Sequence, residues 1–216
     1  KIEAIKNAPR PCNVSELRSF IGLVNFYHKF VPMSADLLEP LYALTRKDVP
    51  WVWSQDCDEA FERAKTAISE KSLLVLYDPD KPLILTSDSS SYGVGATLAH
   101  VIDGIEHPIS FASTTLSPTE RRYSQTDREA LGIIFAVKHF HKFLAGRSFT
   151  LVTDHQPLES IFNPRKGIPL VANARLQRWA LILSAYKYNI SYKKGSQIGN
   201  ADALSRLPLQ SSTNVA

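Results

Sequence analysis

Four acidic residues stand where their neighbours make them unlike ordinary surface charges. Asp88 closes the run Leu83-Ile84-Leu85-Thr86-Ser87-Asp88, and Asp154 closes Phe149-Thr150-Leu151-Val152-Thr153-Asp154. Glu129 lies early in a long helical pattern, and Asp202 follows Gly199-Asn200. Apolar, β-branched runs of this kind read as buried strands, so the acids that close them sit against core. Four carboxylates brought together repel: each pair at ~5 Å and an effective dielectric of ~20 costs about 3 kcal/mol. Such a cluster persists only when protons or cations neutralise it. An all-oxygen donor set, with no Cys and no clustered His, suits Mg²⁺ with Mn²⁺ as a substitute, and not zinc. The chemistry expected of two such ions in one acidic pocket is hydrolysis of a phosphodiester, with all four acids as ligands.

The charge distribution fits a polyanionic substrate. The 216 residues carry a net charge of +4. Residues 1–78 hold 10 basic against 11 acidic side chains, a net of −1, and residues 79–216 hold 15 against 10, a net of +5. Between Ser160 and Ala201 there are seven basic residues and no acid: Arg165, Lys166, Arg175, Arg178, Lys187, Lys193 and Lys194. A positive field beside a carboxylate cluster draws phosphate backbones. No apolar run approaches the ~20 residues of a membrane span. The start, Lys1-Ile2-Glu3-Ala4-Ile5, lacks an initiator Met and reads as a cut from a longer polypeptide. Cys12 and Cys57 are expected as two free thiols.

The elements that must position the acids follow from periodicity. Residues 1–75 read as helical: one helix capped by Ser15 and running to Phe30, a second over Asp36–Thr45 that can start instead at Pro40, and a third over Cys57–Lys71. Trp51 and Trp53 are expected to pack on this unit, with base stacking as the alternative. Then come strands at Leu83–Asp88, Gly93–His100 and Glu106–Ala112, the last two joined by an Asp103-Gly104 hairpin turn. A helix over Ser124–Leu144, a strand Phe149–Asp154, short and long helices near Leu158–Phe162 and Ala174–Tyr186, a strand Tyr188–Lys193 and a last helix Ala201–Arg206 complete the order. The fold class expected is α/β: an RNase H-like five-stranded mixed sheet with helices on both faces, preceded by a small helical subdomain. It brings the ends of the first and fourth strands, hence Asp88 and Asp154, side by side. A polar tail over 209–216 is expected to be disordered.

Several motifs carry a family resemblance. The stretch Glu16-Leu17-Arg18-Ser19-Phe20-Ile21-Gly22-Leu23-Val24-Asn25-Phe26-Tyr27 resembles the segment that follows the polymerase palm in gypsy-type LTR retrotransposon reverse transcriptases. Trp53-Ser54, Ser87-Asp88-Ser89-Ser90, Gly93-Val94-Gly95-Ala96, Glu129-Ala130-Leu131, Thr153-Asp154-His155, Arg178-Trp179 and Asn200-Ala201-Asp202-Ala203-Leu204 continue the likeness in order. The resemblance implies a thumb or connection segment (1–75) and the RNase H domain (76–208) of a Pol polyprotein. The Tyr-x-Asp-Asp polymerase signature is absent. So is any His between His155 and Asp202, where cellular RNase H enzymes carry one in the loop before the last helix.

The implied reaction is hydrolysis of the RNA strand of an RNA–DNA hybrid, with Asp88, Glu129, Asp154 and Asp202 holding two Mg²⁺ ions about 4 Å apart. Ser89 and Ser91 are candidates to meet the cleaved phosphate, Gln125 to face the minor groove, His155 to orient Asp154 or touch substrate, and Arg175 with Arg178 to grip a phosphate. The polymerase fingers and palm of the same polyprotein are expected partners, a second copy of the chain is a candidate partner, and no membrane is expected. The expected location is the cytoplasm, within virus-like particles, with nuclear access open. The alternative function is a catalytically inactive, domesticated RNase H-fold module that binds nucleic acid. An actin-class ATPase would need two copies of the domain. A transposase or integrase would use three acids at other spacings.

Overall fold

The structure, a computed structural model, describes residues 5–26, 34–69, 74–167 and 173–194. Asp202, the helix expected over Ala201–Arg206 and the tail lie outside the described residues.

The N-terminal unit is built from α1 (Val14–Phe26), α2 (Ser34–Leu37), α3 (Glu39–Leu44) and α4 (Gln55–Ser69). Asn13, not Ser15, caps α1. Its Oδ1 accepts the Glu16 N–H at 2.9 Å, and the Glu16 carboxylate reaches back to the Cys12 N–H at 2.8 Å. This reciprocal arrangement satisfies two donors that the helix start leaves open, whereas Ser15 already lies inside the first turn. The segment expected as one helix over Asp36–Thr45 is broken at Leu38, and Pro40 sits in the first turn of α3, where its missing N–H costs nothing. Leu17, Phe20, Val24, Leu38, Leu41, Phe61 and Ala64 form the core of this unit, with Trp51 and Trp53 packed against it. The Trp53 indole N–H donates to Asp58 at 2.6 Å, so the ring is oriented by the unit itself.

The second unit contains β1 (Leu83–Ser89), β2 (Gly93–Ile102), β3 (Ile105–Thr115), α5 (Gln125–His139), α6 (His141–Leu144), β4 (Ser148–Thr153), α7 (Gln156–Ile161), α8 (Ala174–Leu183) and β5 (Lys187–Tyr192). The sheet order is β3-β2-β1-β4-β5, with β1–β2 and β2–β3 antiparallel and β1–β4 and β4–β5 parallel. This is the mixed five-stranded sheet expected. Asp103 and Gly104 both have positive φ, 54° and 77°, as a two-residue hairpin turn requires. The single helix expected over Ser124–Leu144 is interrupted at Phe140, whose ring is buried in the core.

Leu83, Leu85, Leu98, Ala112, Phe149 and Leu151 face α5, α7 and α8, meeting Ile133, Val137, Leu158, Leu176 and Leu183. Burying each such side chain contributes about 1.5–3 kcal/mol. Alternation turns Ile84 and Val152 to the other face, where they join Ala99. On that second face α2 lies against β2 and β3, with the Ser34 and Ser113 hydroxyls 2.7 Å apart.

The stretch before β1 is pinned by two side chains. The fully buried His100 accepts the Asp78 N–H at Nε2 (2.9 Å), so its proton sits on Nδ1 and points to the Pro82 carbonyl (3.1 Å). Arg147 donates to the Tyr77 hydroxyl and the Lys81 carbonyl, both at 2.9 Å.

Candidate active site

Parallel pairing of β1 and β4 puts the ends of both strands at one edge of the sheet. Asp88 is the sixth residue of β1, the central strand, and Asp154 directly follows β4. Glu129 comes from the second turn of α5, which begins at a Ser124 cap whose side chain accepts the Asp127 N–H. The helix lies close to β1 at Gly132, one turn after Glu129. A Cβ there would stand at ordinary contact distance, 3.5 Å from the Asp88 carbonyl oxygen and 3.8 Å from the Ser87 Cβ, so the gap holds a methyl group and no longer side chain. One carboxylate oxygen from each of Asp88, Glu129 and Asp154 lies within 4.8 Å of the others, and this cluster could hold a divalent metal.

The three charges are confined together, and the electrostatics reflect it. Burial, then the neighbouring Asp154 charge, pushes the Asp88 carboxyl from an ordinary 3.8 to about 6. Burial pushes Glu129 from 4.5 to about 7, with the Asp154 and Asp88 charges adding to it. Two groups pull Glu129 back. The Ser89 hydroxyl faces it, although that oxygen is buried without a hydrogen bond of full geometry, and the Gln125 side-chain amide donates to it at 2.5 Å.

The remaining sequence candidates divide. Gln125 is exposed but already engaged, donating to Glu129 and accepting from Arg128. Ser89 lies beside the carboxylates, and Ser91 is exposed in the turn between β1 and β2. The His155 ring pairs with the Thr126 hydroxyl at 2.9 Å and ties the residue after Asp154 to the start of α5. Arg175 and Arg178 are held differently. The Arg175 guanidinium donates to Asp127 at 3.0 Å and stacks on the Tyr123 ring at 3.7 Å, whereas Arg178 is exposed. Asp127 is buried and also accepts from Asn173 at 3.1 Å, a bond that fixes the start of α8. Of the basic run, Lys193 is paired with Glu106 at 2.8 Å.

Sequence reasoning missed Asp127, Asp36 and Ser90. Asp127 reads from sequence as a first-turn helix acid. Ser90 carried a weak signal as a hydroxyl three residues before Gly93, in turn-forming company.

Residues 78–186 match the family described as the RNase H-like domain found in reverse transcriptase. The chain belongs to that family. It is 38% identical over 212 residues to the retrovirus-related Pol polyprotein from transposon 297 of Drosophila melanogaster, covering 97% of this chain and 19% of that protein. It is 35% identical over 210 residues to the transposon Tf2-3 polyprotein of Schizosaccharomyces pombe, covering 95% of this chain and 16% of the relative. The chain thus spans about a fifth or less of the length of these relatives. Retrotransposon Pol kinship, expected from the motifs, is what the relatives show.

Among solved structures, the foamy viral protease-reverse transcriptase in complex with RNA/DNA hybrid aligns with a TM-score of 0.68 at 20% identity, covering all of this chain and 29% of that one. The same viral protein's dRH form in complex with double-stranded DNA aligns at 0.69 and 22%, covering 89% and 34%. These likenesses show that the RNase H-like fold, with its preceding helical unit, is shared.

Proposed function

We propose that this chain hydrolyses the RNA strand of RNA–DNA hybrids, with two divalent ions, Mg²⁺ or Mn²⁺, held by Asp88, Glu129 and Asp154, and with Asp202 as the fourth ligand. The single observation that carries this reading is the convergence of three carboxylates within 4.8 Å at the end of the two central parallel strands. The donor set fits the ions: it is all oxygen, negatively charged and strained by its own repulsion, which a hard cation relieves. When bound, such ions polarise a phosphoryl oxygen and lower the pKa of an attacking water.

The protein's own contribution is to hold the acids in place before substrate arrives. Asp88 is fixed by its pairing with Gly95 of β2, and β4 holds β1 from the other side as far as Thr86. Glu129 is held by Gln125, which Arg128 holds in turn. Because Asp88 and Glu129 keep protons up to about pH 6 and 7, both must release them for cation capture, so activity should rise across that range. Ser91 and Arg178 would meet the nucleic-acid backbone in this reading, and their exposure supports it. The complexes of the foamy viral neighbour and the +5 charge of residues 79–216 support a nucleic-acid substrate. The far greater length of the Pol relatives supports polymerase fingers and palm as partners within one polyprotein.

The test is incubation with a hybrid labelled on each strand. The RNA strand should be cut with Mg²⁺ or Mn²⁺, the DNA strand should remain whole, and EDTA or Asp88→Asn should abolish cutting while hybrid binding persists. Tight hybrid binding with no cleavage under either ion would replace the hydrolytic reading with that of a non-catalytic binding module.

A further inference from the structure

The turn that joins β1 to β2 begins at Ser90, two residues after Asp88, and is held from outside the sheet. The Ser90 hydroxyl accepts the N–H groups of Tyr92 (3.0 Å) and Gly93 (2.9 Å). A hydroxyl has two acceptor sites and one proton. Both acceptor sites are thereby used within the turn, and the proton goes to the charged Oδ1 of Asp36 at 2.7 Å ahead of the Gly93 carbonyl at 3.3 Å. Asp36 belongs to α2, in the helical unit, 54 residues away in sequence. The contact is close: a Cβ on Gly93 would meet that same Asp36 oxygen at 2.7 Å and the Ala35 Cβ at 3.2 Å. No salt bridge neutralises Asp36 among the described residues, and the groups that face it are Ser90, Glu39 and Asp88. A half-buried carboxylate beside two other acids is an expensive way to dock one subdomain on another, since the Ser34–Ser113 contact already docks α2 on β3 without charge.

We infer that Asp36 is a positioning residue for the carboxylate centre: through Ser90 it locks the turn that fixes the end of β1, and with it the Asp88 carboxylate. The inference rests on the hydrolytic reading for its kinetic test but not for its binding test. The helical unit is then part of the site's support and more than a tether to the polymerase.

The experiment uses the full chain and four variants: Asp36→Ala, Asp36→Asn, Ser90→Ala and Ser113→Ala. Hybrid cleavage is measured as kcat and KM with Mg²⁺, and Mn²⁺ affinity is measured by calorimetry without substrate. Misplacing a reacting group by about 1 Å costs about a hundredfold, so Asp36→Ala and Ser90→Ala should lower kcat about ten- to a hundredfold. The hybrid KM should stay near wild type, and Mn²⁺ affinity should weaken. Asp36→Asn retains the Oδ1 acceptor for Ser90 and should recover most of the loss. Ser113→Ala breaks the two docking contacts of α2 on β3, to the Ser34 hydroxyl and the Ala35 N–H, without touching the Asp36–Ser90 bond, and should lower Tm while leaving kcat and Mn²⁺ affinity alone. Wild-type kcat and Mn²⁺ affinity in Asp36→Ala would overturn the inference. So would an equal kcat loss in Ser113→Ala, which would reduce Asp36 to docking. If Asp36→Ala does not fold, Ser90→Ala breaks the same bond from the other side, together with those to the Tyr92 and Gly93 N–H groups, and wild-type kcat and Mn²⁺ affinity in it would overturn the inference. Absence of cleavage by the wild type would refute the hydrolytic reading, and the Mn²⁺ affinities of the variants would still test Asp36.

Discussion

Replacing Asp88 with Asn should make the metal-free protein more stable, although it removes the residue at the centre of the proposed chemistry. The Asp88 carboxyl titrates at about 6 in the folded chain against an ordinary 3.8. Below pH 4 it is protonated in both states and the fold keeps its full stability. As pH rises from 4 to 6 the unfolded chain ionises and the folded one resists, so stability falls. Above 6 the folded chain has ionised as well and the loss is complete, at roughly 3 kcal/mol for this shift. Asn keeps the shape and can still accept the Ser89 backbone N–H, but it carries no charge to bury beside Asp154. Allowing for the cost of burying an amide, the gain at pH 8 is about 2–3 kcal/mol, or about 4–12 °C in Tm for a chain of this size. The assay is thermal unfolding in EDTA at pH 8 and pH 5, with and without Mn²⁺. The Asn variant should melt higher at pH 8, and about half of that advantage should remain at pH 5. Mn²⁺ should raise the wild-type Tm more than that of the variant, because only the wild type offers the full carboxylate set. A lower Tm for Asp88→Asn at pH 8, or a gain that does not change with pH, would refute the argument that the three carboxylates strain the empty fold.

Arg175→Ala removes the cation held against buried Asp127 and should cost about 2–3 kcal/mol, read as a lower midpoint in urea, once the partial exposure of the arginine is allowed for. Arg178→Ala, on the exposed side of the same helix, should leave that midpoint alone and flatten the salt dependence of hybrid binding by about one unit of slope. Gly93→Ala should destabilise by about 1–3 kcal/mol in the same assay, because its Cβ meets Asp36 Oδ1 at 2.7 Å and the Thr114 carbonyl at 3.1 Å.

Much of the site was legible because short-range patterns carry it. Continuous apolar, β-branched runs marked β1 and β4, so the acids that end them could be placed at one sheet edge from sequence, and strand order did the rest. The Asp103-Gly104 turn was equally local, since only a residue pair tolerant of positive φ closes a two-residue hairpin. Motif resemblance named the family, and Glu129 followed from its place in that motif. Local rules failed where two rules competed within a turn: Asn13 took the cap that Ser15 also suited, and Phe140 broke a helix that periodicity would have carried to Leu144.

Only the tertiary structure decided which polar groups are already spoken for. Arg175 and Arg178 share a spacing but not a fate, because a buried Asp127 from another helix reaches one of them. Gln125 holds Glu129 in place of facing solvent unengaged. Asp36 meets Ser90 across 54 residues, a contact with no trace in composition, period or motif. The physical reason is range. Strand and helix periodicity is set by neighbours a few residues apart and can be read from the chain, while the pairing of one charge with one partner depends on where the packed core puts both.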